Sequence, residues 1–317
     1  MHQHSPYHNK NMISFADIKL AHYRIKDFIK NTPIISNKIL NQKLNAQVFF
    51  KCDNLQETLS FKARGAFNAL LVYKEKYGEF PKKVVTVSSG NHAQAVAFAC
   101  KEFGIEALIY MAKITSPLKI VATKSLGAQV IICERRADAN QWSQEKINDG
   151  YYFIHPSAND DVISGNGTAC LEALQEIGEV DAIFTPVGGG GLISGTYLVA
   201  TKLSPQAKVF GCEPLNANDA ALSVRDGKIF EFKDSPNTIA DGARTLAVLP
   251  ICFEYLKKLD GILEIAEEEI LYWQKEFLQV TKVLIEPTSA LALSGVAQYV
   301  QENSGKKILV IISGGNV

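Results

Sequence analysis

The chain has 317 residues, 47% of them hydrophobic and 9% aromatic, so it is long enough for two lobes or one large α/β domain and supplies an ample core. Its 33 Lys and Arg balance 33 Asp and Glu, which leaves no cationic excess to neutralise a run of phosphates and argues against nucleic-acid binding. The longest aliphatic runs, such as Ile308 to Ile312, fall far short of the ~20 apolar residues of a spanning helix, so membrane insertion is not expected.

In chain order, Met1 to Met12 is polar, carries His2, His4 and His8, and has no basic stretch followed by an apolar one. It reads as a solvated tail and not as a signal peptide. A helix is expected from near Ser60, with Ser60 as its N-cap, Phe61 and Ala66 facing inward, and Lys62 in the first turn. A cation there is disfavoured by the helix dipole, and partial burial lowers its pKa, which is what a Schiff-base lysine needs.

Short apolar runs follow at Val84 to Val87, Ala107 to Met111, Gln129 to Cys133, Ala182 to Val187, Lys208 to Cys212 and Lys307 to Ile312. They read as strands buried on both faces. Between them Ala93 to Phe103, Ile163 to Gly178, Leu192 to Leu203 and Glu267 to Thr281 have the length and composition of crossover helices. This alternation predicts a doubly wound α/β fold with mostly parallel sheets and helices on both faces.

Three of the strands stop in small-residue turns: Ser88-Ser89-Gly90-Asn91-His92, Gly188 to Gly191, and Ser313-Gly314-Gly315-Asn316. Ligands of open parallel sheets sit at such carboxyl ends, where the next helix aims free N–H groups at an anion. Four consecutive glycines cost more backbone entropy than a tight turn requires and point to a phosphate against bare backbone. The strand from Lys208 ends in Glu213-Pro214-Leu215-Asn216-Ala217-Asn218-Asp219, which alone reads as an acidic, proline-containing turn. The six cysteines, Cys52, Cys100, Cys133, Cys170, Cys212 and Cys252, lack CxxC pairing and sit among apolar neighbours, as core residues of a reducing, cytoplasmic compartment do.

The ordered set Ser60-Phe61-Lys62-x-Arg64-Gly65-Ala66, Ser88 to His92, the four glycines and Ser313 to Asn316 resembles the fold-type II pyridoxal-phosphate enzymes, specifically the serine/threonine dehydratase and serine racemase group. Thr238 to Gly242 and Glu286-Pro287-Thr288 add to the match, which runs from about Ile13 to Val317. The resemblance implies two lobes, a large one from residues 1–75 and 158–317 and a small mobile one from 76–157, in a homodimer. It makes Lys62 the residue that holds the cofactor covalently, with Phe61 beside the ring. It assigns the cofactor phosphate to Gly188, Gly189, Gly190, Gly191 and Leu192, the ring 3′ oxygen to Asn91, and the pyridine nitrogen to Ser313. A neutral hydroxyl at that nitrogen favours prompt β-elimination over transamination.

By the same resemblance the α-carboxylate of a small β-hydroxy amino acid docks on Ser88, Ser89, Asn91 and His92, and Lys62 removes the α-proton. Ser89 occupies the place of the second acid/base of the racemases, although a serine in such a turn equally serves as an anion ligand or cap. Glu213, the Ala217 carbonyl and Asp219 match a Mg²⁺ site of the metal-activated members, and Asn316 matches an asparagine that binds a nucleotide effector. Arg244, in Asp241-Gly242-Ala243-Arg244-Thr245, resembles the hydroxyaspartate ammonia-lyases, where a second substrate carboxylate needs a cation. The expected activity is threonine/serine dehydration to a 2-oxo acid and ammonia, with serine racemisation open. The alternatives are an L-threo-3-hydroxyaspartate ammonia-lyase and an inactive binding module, the latter opposed by Lys62.

Overall fold

The computed structural model describes residues 12–317; the tail histidines His2, His4 and His8 lie outside them. The strands are β1 (Ile34–Ile35), β2 (Gln47–Cys52), β3 (Lys83–Val87), β4 (Glu106–Ala112), β5 (Gln129–Cys133), β6 (Tyr152–Phe153), β7 (Ala182–Pro186), β8 (Lys208–Pro214), β9 (Gly261–Ile265) and β10 (Lys307–Ile312). They form a six-stranded sheet in the order β1-β2-β10-β7-β8-β9 and a four-stranded sheet in the order β5-β4-β3-β6. Only β1 runs antiparallel to its neighbour. The protein is a two-lobed α/β fold with mostly parallel sheets.

Both sheets are covered on both faces, which is why their strands read as continuous apolar runs. Along β10, Ile308, Val310 and Ile312 pack into the core beneath helices Glu267–Thr281 and Pro287–Tyr299. Leu309 and Ile311 point the other way, into the core with Asp160–Ile177 and Gly191–Leu203. In the small sheet Val84, Ile109 and Met111 share a core with helices Lys62–Tyr77 and Asn91–Glu102, while Val85, Leu108 and Tyr110 pack on the opposite side.

All six strands expected from the sequence are present, and the four expected crossover helices are found within about three residues of their expected ends. Strands β1, β2, β6 and β9 are additional to that expectation: β1 and β6 are only two residues long, Lys51 interrupts the apolar run of β2, and Glu264 that of β9. The start of the lysine helix also differs. Helix Lys62–Tyr77 has Phe61 at its N-cap, with no side-chain cap bond. Ser60 instead forms an antiparallel bridge with Gly314, and the Phe61 N–H donates to the Ser313 carbonyl at 3.0 Å. The backbone tether to the segment after β10 takes the place of the expected serine cap.

What anchors this uncapped helix is Arg64, two residues in and fully buried. Its Nε and Nη2 grip Asp53 at 2.6 and 2.9 Å, its Nη1 and Nη2 grip Glu172 at 2.7 and 2.8 Å, and Nη1 also donates to Thr168 at 3.0 Å. All five guanidinium hydrogens are spent. Lys51, equally buried, donates to Glu172, Asn31 and the Thr32 carbonyl, so two cations and two carboxylates cancel. Arg64 and Lys51 hold the Glu172 carboxyl well below its usual range despite its burial. A depressed carboxyl contributes stability at neutral pH that is lost as pH falls below its unfolded value near 4.5. Arg64→Met leaves Asp53 and Glu172 short of their partner, and urea unfolding should show a loss of about 3–5 kcal/mol at pH 7. That deficit should shrink towards pH 3, where the carboxyls of the variant are neutral.

Candidate active site

A cleft of about 890 Å³ is walled by residues of both sheets. It gathers Phe61, Lys62, Ser88, Ser89, Asn91, His92, Gly188 to Gly191, Leu192, Arg244 and Ser313. Glu213, Ala217 and Asp219 are not part of its wall.

Lys62 donates from Nζ to the Pro156 carbonyl at 2.9 Å and lies 4.9 Å from the centroid of the Phe61 ring. Burial lowers its ammonium to about 8, against the opposing pull of Cys252 and Glu286. The lysine is therefore a neutral amine in roughly a tenth of molecules at pH 7, where a surface lysine is almost wholly charged.

The glycine run is sterically required. A Cβ on Gly188 would meet the Gly242 carbonyl at 2.7 Å, one on Gly189 the Ser157 Oγ at 2.7 Å, and one on Gly190 the Cys252 Cβ at 2.6 Å. Gly190 has φ 89° and caps helix Gly191–Leu203 without a side-chain bond. Bare backbone at a helix N-terminus is left facing the cleft, a cradle for an anion.

The Ser88 to His92 turn is a second one. Gly90 is the N-cap of Asn91–Glu102, again without a side-chain bond. Ser89 Oγ accepts the Ala112 N–H at 3.0 Å. Asn91 donates Nδ2 to both oxygens of Glu286 at 2.9 Å, and its Oδ1 accepts from Asn316 Nδ2 at 2.8 Å. Asn316 gives its other amide hydrogen to the Thr58 carbonyl at 3.0 Å. His92 Nε2 donates to the Ile154 carbonyl at 3.0 Å, and burial pushes the ring down to about 3. On the remaining wall, Ser313 Oγ stands 3.0 Å from Ser289 Oγ. Arg244 donates Nη2 to the Thr238 carbonyl and keeps Nε buried without a partner.

Three cleft residues carry no role on the sequence reading. Lys119 of helix Pro117–Ser125 and Asp241 form an ion pair, joining the small-sheet side to the large-sheet side. Glu286, which fixes the Asn91 amide, is raised by burial to about 7. Its position before Pro287 at a helix start is what masks it, since an acidic residue ahead of a first-turn proline is an ordinary helix signal.

Outside the cleft, Glu213 and Asp219 are brought together and fully buried. Burial and the Asp219 charge hold Glu213 well above its usual range, and burial lifts Asp219 to about 7. Glu213 accepts the N–H groups of Ala220 and Ala221 at 3.1 and 2.9 Å, while Asp219 Oδ2 has no partner. Among the described residues no group of three or more His, Cys, Asp or Glu side chains is placed to hold a metal ion.

Residues 25–314 match the family described as pyridoxal-phosphate dependent enzymes. The chain belongs to that family. Among curated relatives, serine racemase of Dictyostelium discoideum is 40% identical over 96% of this chain and 95% of its own length. L-threo-3-hydroxyaspartate ammonia-lyase of Saccharomyces cerevisiae is 38% identical over 96% and 93%. The crystal structure of the Dictyostelium racemase superposes with a TM-score of 0.89 over 96% of this chain and 99% of that one, at 39% identity. The crystal structure of T.th. threonine deaminase superposes with a TM-score of 0.89 over 96% and 98%, at 36% identity.

The residues present fit pyridoxal phosphate. A buried lysine of lowered pKa suits its aldehyde, bare backbone at a helix N-terminus, held in place by glycines that no side chain could replace, suits its phosphate, and a hydroxyl and an amide lie on the cleft wall for its ring. Because Lys62 titrates near 8, the rate at which cofactor-stripped enzyme captures pyridoxal phosphate should rise about tenfold per pH unit below pH 8 and level off above it. Continued increase towards pH 10 would show an ordinary exposed lysine. Stopped-flow absorbance across that range makes the measurement.

Proposed function

We propose that this enzyme is a threonine/serine ammonia-lyase that releases a 2-oxo acid and ammonia from a β-hydroxy amino acid and has the residues for serine racemisation. The observation that carries the reading is a lysine amine of lowered pKa in one cleft with two backbone anion cradles. The named activities of the relatives and structural neighbours support it. Pyridoxal phosphate, when bound, supplies the electron sink that acidifies the substrate Cα–H. Lys62 would hold it covalently, Gly188 to Leu192 would hold its phosphate, and Asn91 and Ser313 its ring.

The chain's own residues do the rest. The substrate α-carboxylate docks on the Ser88 to His92 turn through backbone N–H groups, since the His92 ring has its only hydrogen on the Ile154 carbonyl. Lys62, released from the cofactor, takes the Cα proton. Ser89 keeps its hydroxyl hydrogen free for the cleft because its Oγ acts as the acceptor for Ala112. That geometry suits delivery of a proton to Cα from a serine. The segment 76–157, carrying Lys119, closes on the remainder and excludes water, in a homodimer.

Lys62→Ala should lower 2-oxo acid release at least ~10³-fold, and borohydride reduction of the wild type should leave its pyridoxyl mark on Lys62 in a peptide map. A mark on a different lysine overturns the reading. L-Threonine and L-serine are the expected substrates. The unpartnered Nε of Arg244 favours one second reading, L-threo-3-hydroxyaspartate with its extra carboxylate. Comparing the three substrates by 2-oxo acid release, with chiral analysis of residual serine, separates these outcomes.

We also assign a divalent cation, Mg²⁺ or a similar hard ion, to Glu213, the Ala217 carbonyl and Asp219. Two buried carboxylates that disfavour each other's charge, one with an unpartnered oxygen, suit an oxygen-loving cation. Chelation should lower the melting temperature by at least ~3 °C, with recovery on adding Mg²⁺. Asp219→Asn should be insensitive to both.

A further inference from the structure

His92 is only 2% exposed, yet it forms part of the cleft wall beside Lys62. A carbonyl oxygen can only accept, so the 3.0 Å contact from Nε2 to the Ile154 carbonyl places the ring's hydrogen on Nε2 and leaves Nδ1 a bare lone pair. That Nδ1 is buried and has no partner. Buried acceptors are seldom left so, and each one calls for a reason.

The nearby cation is Lys62, whose charge acts on the His92 ring. Only one Lys62 donor is spent, on the Pro156 carbonyl. The other groups around the pair are committed. His155 Nδ1 accepts the N–H groups of Ser157 and Ala158 at 3.1 and 2.9 Å, Cys252 Sγ points at the Ser157 carbonyl, and both Glu286 oxygens take Asn91. We infer that His92 Nδ1 is the second acceptor for the Lys62 ammonium, taken up when Nζ turns from the Pro156 carbonyl into the cleft. His92 is then a positioning residue for Lys62, an inference that rests on Lys62 being the reactive lysine. The ring accepts the hydrogen bond without taking the proton, because burial keeps it neutral. It therefore steadies the ammonium that Lys62 becomes after accepting a proton, and hands that proton to nothing else.

The test compares wild type, His92→Phe and His92→Gln, the last retaining one donor and one acceptor. In cofactor-stripped full-length enzyme, the pH midpoint of pyridoxal-phosphate capture reports the Lys62 amine. Loss of an acceptor for the ammonium should move that midpoint down by about half a unit or more in His92→Phe, at least ~3-fold in the equilibrium, with His92→Gln returning it to the wild-type value. An unmoved midpoint in folded His92→Phe overturns the inference, as does a shift that His92→Gln fails to restore. If His92→Phe does not fold, ¹⁵N imidazole spectra of cofactor-stripped wild type and Lys62→Ala decide. A moved His92 Nδ1 resonance supports the contact, and an unmoved one overturns it. Failure of the underlying reading looks different, because wild type then captures no cofactor on Lys62 at any pH.

Discussion

The buried guanidinium of Arg64 is the constraint on which the site depends. Asp53 lies in the turn after β2, Glu172 is on helix Asp160–Ile177, and Arg64 itself is on the lysine helix. One planar fork therefore sets three elements at fixed distances, and it does so two residues from Lys62. An ion pair buried this deeply is a weak source of net stability, because desolvation offsets most of the attraction. Its geometric value is larger. A helix with no side-chain cap would fray at its first turn, and the first turn is where the lysine sits.

The neighbouring residues show the same division between a rigid frame and a reactive surface. The frame uses charges fully cancelled within it, whereas the cleft keeps groups whose ionisation lies close to neutrality, Lys62 near 8 and Glu286 near 7. Groups of that kind respond to whatever binds. Asn91 stands on the same wall, its amide oriented by Glu286 on one side and Asn316 on the other. An amide fixed at both ends can present only one face to a ligand in the cleft.

Much of this was legible in the sequence, for reasons that differ by residue. Strands such as β7 and β10 are buried on both faces and announce themselves as unbroken apolar runs, and the glycines from Gly188 announce a backbone that no side chain can approach. Lys51 concealed β2, because a lysine in the middle of a strand signals exposure and nothing local reveals that Glu172, far along the chain, neutralises it. Ser60 misled in the opposite sense. Its residue type and place suggested a cap, but the competing pairing with Gly314 comes from the other end of the chain. Glu286 and Lys119 went unassigned for the same reason, since their partners are set by tertiary structure and not by spacing.

The strand order has a consequence for how the enzyme comes into being. Strand β10 lies between β2 and β7, so the middle of the large sheet is filled by a strand translated after both of its neighbours. Until then β2 and β7 each present an unpaired edge, and nascent chains with such edges are prone to aggregate or to engage chaperones. Lys62 is translated well before Ser313 and the backbone that tethers Phe61, which arrive with β10. The cleft wall around Lys62 is thereby incomplete until β10 has formed, and a product terminated before that strand would carry Lys62 without the Phe61 tether or Ser313.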